Sequence, residues 1–215
     1  DNLSAEIILQ NYLDSERRKY LLGEQLDSVM NYPFADALIG FAISGIAEGF
    51  NNRISEICEN YPKPAVDCLM NHIGTHDTMR IKSLFGGKNE NCKNEQLESG
   101  MEALATYRLR CAAFLQMTYV GVASIYYGDE IGMQGGKDPY NRAPFTWRRV
   151  DTELLSEYQR LGELRNNLSV LRTGHYKTLY ANGDVFVFAR YFENGRNVFG
   201  EKAGAGFAIC AVNRS

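Results

Sequence analysis

A histidine and an aspartate stand side by side after an apolar run, in the segment NHIGTHDTMR (residues 71–80). A carboxylate can stabilise the positive charge of an oxocarbenium-like transition state, as in glycoside cleavage, and an imidazole can bond a sugar hydroxyl. Asp77 and His76 are candidates for these two roles. Such pairs also arise by chance, and Asp77 could instead cap a helix that begins near Arg80. Taken alone, the dipeptide favours the capping interpretation.

Two further acidic residues, Asp129 and Glu130, follow the apolar run that ends at Tyr127. Neighbouring side chains in an extended segment point to opposite faces, so adjacent carboxylates are poorly placed to share one substrate atom. We therefore interpret both as structural groups that bind backbone or arginine near the site.

The segment DPYNRAPFTW (residues 138–147) combines a carboxylate, a guanidinium and aromatic rings on a loop. Sugar sites use this mixture, because rings cover the apolar faces of pyranoses while forked donors hold hydroxyls. A surface loop held by its own side chains is the alternative interpretation.

Short apolar runs, typical of buried strands, alternate with helical patterns and must position these groups. The runs cover residues 26–32, 65–73 and 122–127. The helical patterns cover residues 33–50, 54–58, 96–118 and 152–171. This alternation predicts an α/β fold with parallel strands joined by right-handed crossovers. Three such strands cannot close a barrel or cover their own edges.

Two features predict which side chains are buried. In the helix over residues 96–118, the face expected to be buried carries Leu97, Met101, Leu104, Tyr107 and Leu115. The five cysteines are odd in number and irregular in spacing, so they match neither a disulfide framework nor a zinc pattern. We expect them to be buried thiols of a reduced protein: Cys58, Cys68, Cys92, Cys111 and Cys210.

The pattern changes at His175, where alternating segments separated by Asn-Gly turns predict antiparallel hairpins. We therefore divide the chain into residues 1–174 and 175–215. The opening Asp1-Asn2-Leu3 and the close at Ser215 suggest a chain cut at both ends, and no compartment is indicated.

Composition argues against two classes of partner. The net charge of −3, from 23 basic and 26 acidic residues, provides no basic stripe for nucleic acid. No apolar stretch approaches the roughly 20 residues that span a bilayer, so we expect no membrane insertion.

Together and in this order, these segments resemble glycoside hydrolase family 13, the α-amylase family, and most closely its neopullulanase and cyclomaltodextrinase branch, from about Arg17 to Ser215. The resemblance implies that residues 1–174 carry strands six to eight of a (β/α)8 TIM barrel and that residues 175–215 begin an antiparallel β-sandwich. Ala123 departs from the proline that is frequent in the family, and the loop from Gly86 to Glu98 is longer than in close relatives.

The resemblance also implies roles for five residues. Asp77 stabilises the transition state and His76 bonds a substrate hydroxyl. Asp138 and Arg142 hold the glucose unit on the non-reducing side of the cleaved bond, and Tyr32 lines the same pocket. The implied parent is a retaining hydrolase of α-1,4 glucosidic bonds, with α-1,6 bonds as a further expectation, in α-glucan oligosaccharides. No cofactor or metal is implied, and calcium stays open.

Two catalytic groups of that family are not evident. Its nucleophile lies in a Gly-x-Arg-x-Asp segment, which this sequence lacks, and Glu6 is a poor match to its general acid. We therefore expect a fragment that is inactive without the missing N-terminal half of its barrel. A glucanotransferase of the same family and a non-catalytic glucan-binding or scaffold half-barrel are the alternatives.

Overall fold

The computed structural model describes residues 18–215. Within that range the α-helices are α1 (Tyr32–Ser44), α2 (Ala47–Asn60), α3 (Lys63–Val66), α4 (Ile81–Phe85), α5 (Ser99–Thr118), α6 (Thr152–Asn167) and α7 (Ser169–Thr173). The strands are β1 (Met70–Asn71), β2 (Val122–Ala123), β3 (His175–Asn182), β4 (Val185–Tyr191) and β5 (Phe207–Asn213). In this described part of the chain, no helix is both long and apolar enough to cross a membrane.

The predicted parallel strands are present but short. β1 and β2 pair in parallel, with Met70 opposite Val122, and Met30 adds a single parallel bridge to Met70. The strand expected over residues 26–32 is therefore reduced to that bridge. The extended segment ends at Asn31. The Asn31 side chain accepts a hydrogen bond from Phe34 N at 3.2 Å and caps α1.

The helix expected over residues 33–50 is divided at Gly45, so the predicted boundary near Phe50 is wrong. Gly45 has φ 71°, a left-handed conformation that suits glycine, and its N–H donates to Phe41 O at 2.8 Å. A Cβ at this position would also overlap the Asp184 carboxylate in the β3–β4 turn. The chain turns here and α2 begins at Ala47.

The buried face of α5 differs from the predicted one. Leu97 and Leu115 are buried, but three members of the expected face are 38–40% exposed: Met101, Leu104 and Tyr107. The buried residues of the helix include three alanines and a glutamine: Ala105, Ala112, Ala113 and Gln116. The Gln116 side-chain nitrogen is satisfied, because it donates to Asn71 O at 3.1 Å and to Ser124 O at 2.7 Å.

The last three strands form one antiparallel sheet in the order β3-β4-β5. Phe186 and Phe188 on its inner face are fully buried in the same hydrophobic cluster as the helices, and the Phe186 ring meets Phe50 of α2 with centroids 5.0 Å apart. Arg190 is also fully buried and donates to Thr118 O at 2.8 Å and Gly174 O at 2.9 Å. The sheet is therefore packed firmly onto the helical layer.

The cysteines are all free, but the prediction that they are buried is correct only for Cys210. Cys58 is exposed and the other three are partly exposed: Cys68, Cys92 and Cys111. Periodicity could not reveal this for Cys68 and Cys92, because both lie outside the regular elements.

Candidate active site

The loop after β1 presents Asp77 and His76 to solvent. Thr75 N donates to Thr78 Oγ1 at 3.1 Å, and Asp77 N donates to Thr75 Oγ1 at 3.2 Å, so hydroxyl groups fix the loop backbone. The Asp77 and His76 side chains are 60% and 59% exposed. The next helix begins at Ile81 with Arg80 at its cap position, so the alternative in which Asp77 caps that helix is wrong.

Four of the five predicted site residues lie together. Asp77 Oδ1 is 3.4 Å from His76 Nε2 and 3.5 Å from Arg142 Nη2. Arg142 Nε is 3.3 Å from Asp138 Oδ1 and donates to His76 O at 3.0 Å. His76 and Arg142, 66 positions apart in sequence, are thus joined in one charged cluster around the Asp77 carboxylate.

Tyr32 lies outside that cluster. Its ring meets His72 edge-on with centroids 4.5 Å apart, and it is 37% exposed. Among the described residues, Tyr32 makes no hydrogen bond or ion pair with the other four.

Sequence reasoning gave no role to Asn141, which joins the two halves of the cluster. The Asn141 side chain is fully buried, and its Nδ2 donates to His76 O and to Thr78 O, both at 2.7 Å. These bonds attach the turn that carries Arg142 to the loop that carries Asp77. A polar residue in a polar loop has no distinguishing sequence pattern, so only the fold reveals this contact.

A buried ion pair holds the backbone next to the cluster. Arg80 and Asp129 are each 1% exposed, and Arg80 Nη1 is 3.4 Å from Asp129 Oδ1 and also donates to Tyr127 O. The guanidinium lies over the rings of Tyr126 and Tyr127, at 4.5 and 4.6 Å from their centroids. Burial raises the pKa of Asp129 to about 7, although the charge of Arg80 opposes the shift.

Glu130 accepts a hydrogen bond from Gly128 N at 2.7 Å. Asp129 and Glu130 therefore bind arginine and backbone respectively, and the prediction that they are structural groups is confirmed.

His72 is a second residue that the sequence did not single out. It is 3% exposed, and burial lowers the pKa of its imidazole to about 4, so the ring is neutral near pH 7. Within residues 18–215, no hydrogen-bond partner reaches His72 Nε2. Its ring supports Tyr32, the remaining predicted site residue.

Among the aromatic residues of the segment 138–147, Trp147 is exposed, whereas Tyr140 and Phe145 are partly buried. Trp147 is 81% exposed, and its ring lies 4.5 Å from that of Phe145. The Tyr127 hydroxyl donates to Ala143 O at 2.8 Å and holds the middle of this segment. Within the described residues, no three His, Cys, Asp or Glu side chains are grouped as metal ligands would be.

Comparison with known protein families shows to which family the chain belongs. The Alpha-amylase family, described as "Alpha amylase, catalytic domain", matches residues 7–152. The chain belongs to the α-amylase family. Its parallel strands and the helices between them are accordingly part of a TIM barrel. Glu6, the weak candidate for the general acid, lies outside the described residues.

Relatives with established names are glycoside hydrolases of this family. An amylopullulanase of Thermoanaerobacter thermohydrosulfuricus is 40% identical over 98% of this chain, and a cyclomaltodextrinase of Thermoanaerobacter pseudethanolicus is 33% identical over 87% of it. Neopullulanase 2 of Thermoactinomyces vulgaris is 32% identical over 87% of the chain. The chain spans only 15% of the amylopullulanase and 30% of the cyclomaltodextrinase.

Solved structures agree with this assignment. A debranching enzyme from Nostoc punctiforme superposes with a TM-score of 0.72 and 27% identity, over 92% of this chain and 39% of that enzyme. A cyclomaltodextrinase superposes with a TM-score of 0.68 and 32% identity, over 80% of this chain and 27% of that enzyme.

Proposed function

We propose that the protein to which this chain belongs hydrolyses α-1,4 glucosidic bonds of α-glucan oligosaccharides with retention. The observation that carries this proposal is the exposed Asp77 carboxylate, with His76 and Arg142 within 3.5 Å of the same oxygen. The cluster follows the carboxyl end of a parallel strand, the face of a TIM barrel on which active sites are built.

In this proposal Asp77 stabilises the transition state. Positive charge develops on the sugar ring as the glycosidic bond breaks, and a carboxylate beside the ring favours that state over the neutral ground state. His76 donates to a substrate hydroxyl. Both side chains are mostly exposed, so they are free to meet the sugar.

Asp138 and Arg142 bind the glucose unit on the non-reducing side of the cleaved bond. Their ion pair, at 3.3 Å, leaves further donors on the guanidinium and a second carboxylate oxygen for sugar hydroxyls. Tyr32 lines the same pocket, with its ring oriented by His72.

The nucleophile and the general acid come, in this proposal, from the other half of the barrel. A retaining glycosidase places two carboxyl groups about 5 Å apart, and a stabilising aspartate cannot replace either of them. We assign the bridge at Met30, β1 and β2 to barrel strands six, seven and eight. We assign the sheet of residues 175–215 to the start of a separate β-sandwich domain.

The names of the relatives support a wider substrate range. Amylopullulanase and neopullulanase are named for pullulan, a glucan that contains α-1,6 bonds. We therefore propose α-1,6 bonds as additional substrates of the whole protein.

The test uses the whole protein and its Asp77→Asn variant on maltooligosaccharides and pullulan. The variant is expected to lose about 10²-fold or more in kcat with little change in substrate binding, because the interaction forms in the transition state. The 215-residue chain alone is the negative control and is expected to show no turnover. Unchanged turnover in Asp77→Asn would contradict the assignment.

A further inference from the structure

Two loops meet beside the sugar-binding residues. We name residues 88–98 the brace loop and residues 134–137 the strap, which leads directly into Asp138. Three hydrogen bonds join them: from Lys137 N to Glu90 O (2.7 Å), from Gly136 N to Lys93 O (3.2 Å) and from Leu97 N to Gln134 Oε1 (2.8 Å). An ion pair between Lys137 and Glu90, at 2.5 Å, connects the same two segments.

Gly136 allows the two backbones to approach. A Cβ on Gly136 would overlap the Cys92 carbonyl oxygen and would lie 2.6 Å from Glu90 O. Both obstacles are backbone atoms, which cannot rotate away as a flexible side chain would. Any other residue at this position must push the brace loop and the strap apart.

The strap transmits its position to both charged residues. Lys137 O accepts from Tyr140 N at 2.9 Å, which starts the 3-10 turn Tyr140–Arg142, so the strap and that turn form a continuous hydrogen-bonded unit. On its other side, Gly135 O accepts from Arg80 N at 3.0 Å, and Arg80 ends the loop that carries Asp77. The strap is thus held between the brace loop and the Asp77 loop.

We propose that the brace loop positions Asp138 and Arg142 to bind the glucose unit, with Gly136 as the positioning residue at the contact. This inference rests on the proposed function of those two residues. Moving the strap displaces both charged groups, whereas the Asp77 loop keeps its own internal bonds between Thr75, Asp77 and Thr78. Substrate binding therefore weakens equally in the ground state and the transition state, which raises KM and leaves kcat nearly unchanged.

The first experiment measures maltohexaose hydrolysis by the whole protein carrying Gly136→Ala. We expect KM to rise about ten-fold with kcat within about two-fold, because a small displacement of a positioning group has large effects. Gly100→Ala is the matched control, since a Cβ there meets no atom within 4 Å. The Gly100→Ala variant is expected to keep the wild-type KM and kcat.

A second variant removes the brace itself and stays informative if Gly136→Ala does not fold. Replacing residues 90–93 by Gly-Gly removes two residues, so the shortened loop can no longer place carbonyl acceptors at both the Glu90 O and Lys93 O positions; a surface loop tolerates such shortening. The same rise in KM is expected. Glu95→Gln is the control, because Glu95 pairs with Lys88 inside the loop, at 3.6 Å.

An unchanged KM in the active, loop-shortened protein overturns the inference, and so does a fall in kcat at constant KM. If the proposed function is wrong, the result is different: the wild-type protein does not hydrolyse maltohexaose, or the Asp77→Asn variant keeps full turnover.

Discussion

The buried imidazole of His72 predicts a specific loss of stability in acid. The ring is 3% exposed beside Tyr32, and burial alone lowers its pKa from 6.5 to about 4. The unfolded chain therefore takes up a proton near pH 6.5, whereas the folded protein does not until about pH 4. Between these values the unfolded state binds more protons, so the free energy of unfolding falls as the pH falls.

The magnitude follows from the size of the pKa shift. One pKa unit corresponds to about 1.4 kcal/mol, so lowering the His72 pKa from 6.5 to about 4 contributes about 3 kcal/mol that is fully present above pH 6.5 and lost by pH 4. In His72→Leu this contribution is absent, because leucine has no titrating group.

The assay is urea unfolding of wild type and His72→Leu at several pH values between about 7 and 4, with stability taken by linear extrapolation. The difference in the free energy of unfolding between the two proteins isolates the contribution of the His72 imidazole from that of all other titrating groups. Relative to wild type, the variant should gain about 3 kcal/mol across that range. His175→Gln is the control, since His175 is partly exposed on β3. Parallel pH profiles for wild type and His72→Leu would refute the reasoning.

Two further predictions concern buried charges. Burial raises the pKa of Asp129 from 3.8 to about 7, so its contribution to stability is present below pH 3.8 and is lost as the pH rises through 7. Asp129→Asn should remove that pH dependence in urea unfolding, and an unchanged slope would contradict the shift. Arg190→Met should lower the free energy of unfolding by about 3 kcal/mol, because the buried carbonyls of Thr118 and Gly174 lose their charged donor. A loss below about 0.5 kcal/mol, again measured by urea unfolding, would show that the stability of the β3-β4-β5 sheet does not depend on the Arg190 hydrogen bonds.

The charged cluster illustrates what the sequence could and could not predict. Asp77, Asp138 and Arg142 stand in order along the chain, and their resemblance to the α-amylase family predicted one site. The spacing of these residues in the sequence does not predict which of their atoms are in contact. The contact depends on Asn141, a buried amide bonded 65 and 63 positions away, and no local pattern encodes a bond of that range.

The buried face of α5 shows a second limit. Hydrophobic periodicity assumes that the largest apolar residues face the core. In α5, Gln116 faces inward because the backbone carbonyls of Asn71 and Ser124, at the ends of β1 and β2, accept its amide hydrogens. Met101 and Leu104 are left on the outer side. The tertiary contact, rather than side-chain size, decides the orientation of the helix.

The position of Asp77 is maintained by hydrogen bonds to the backbone of its loop more than by its ion pairs. The contacts of its carboxylate with His76 and Arg142, at 3.4 and 3.5 Å, join side chains that are about half exposed or more. Exposed pairs of this kind contribute about 0–1 kcal/mol. The two Asn141 bonds of 2.7 Å come from a fully buried side chain and fix the loop backbone on either side of Asp77. The backbone is therefore held in place while the charged side chains stay free to exchange their mutual contacts for sugar hydroxyls, as an electrostatic stabiliser must.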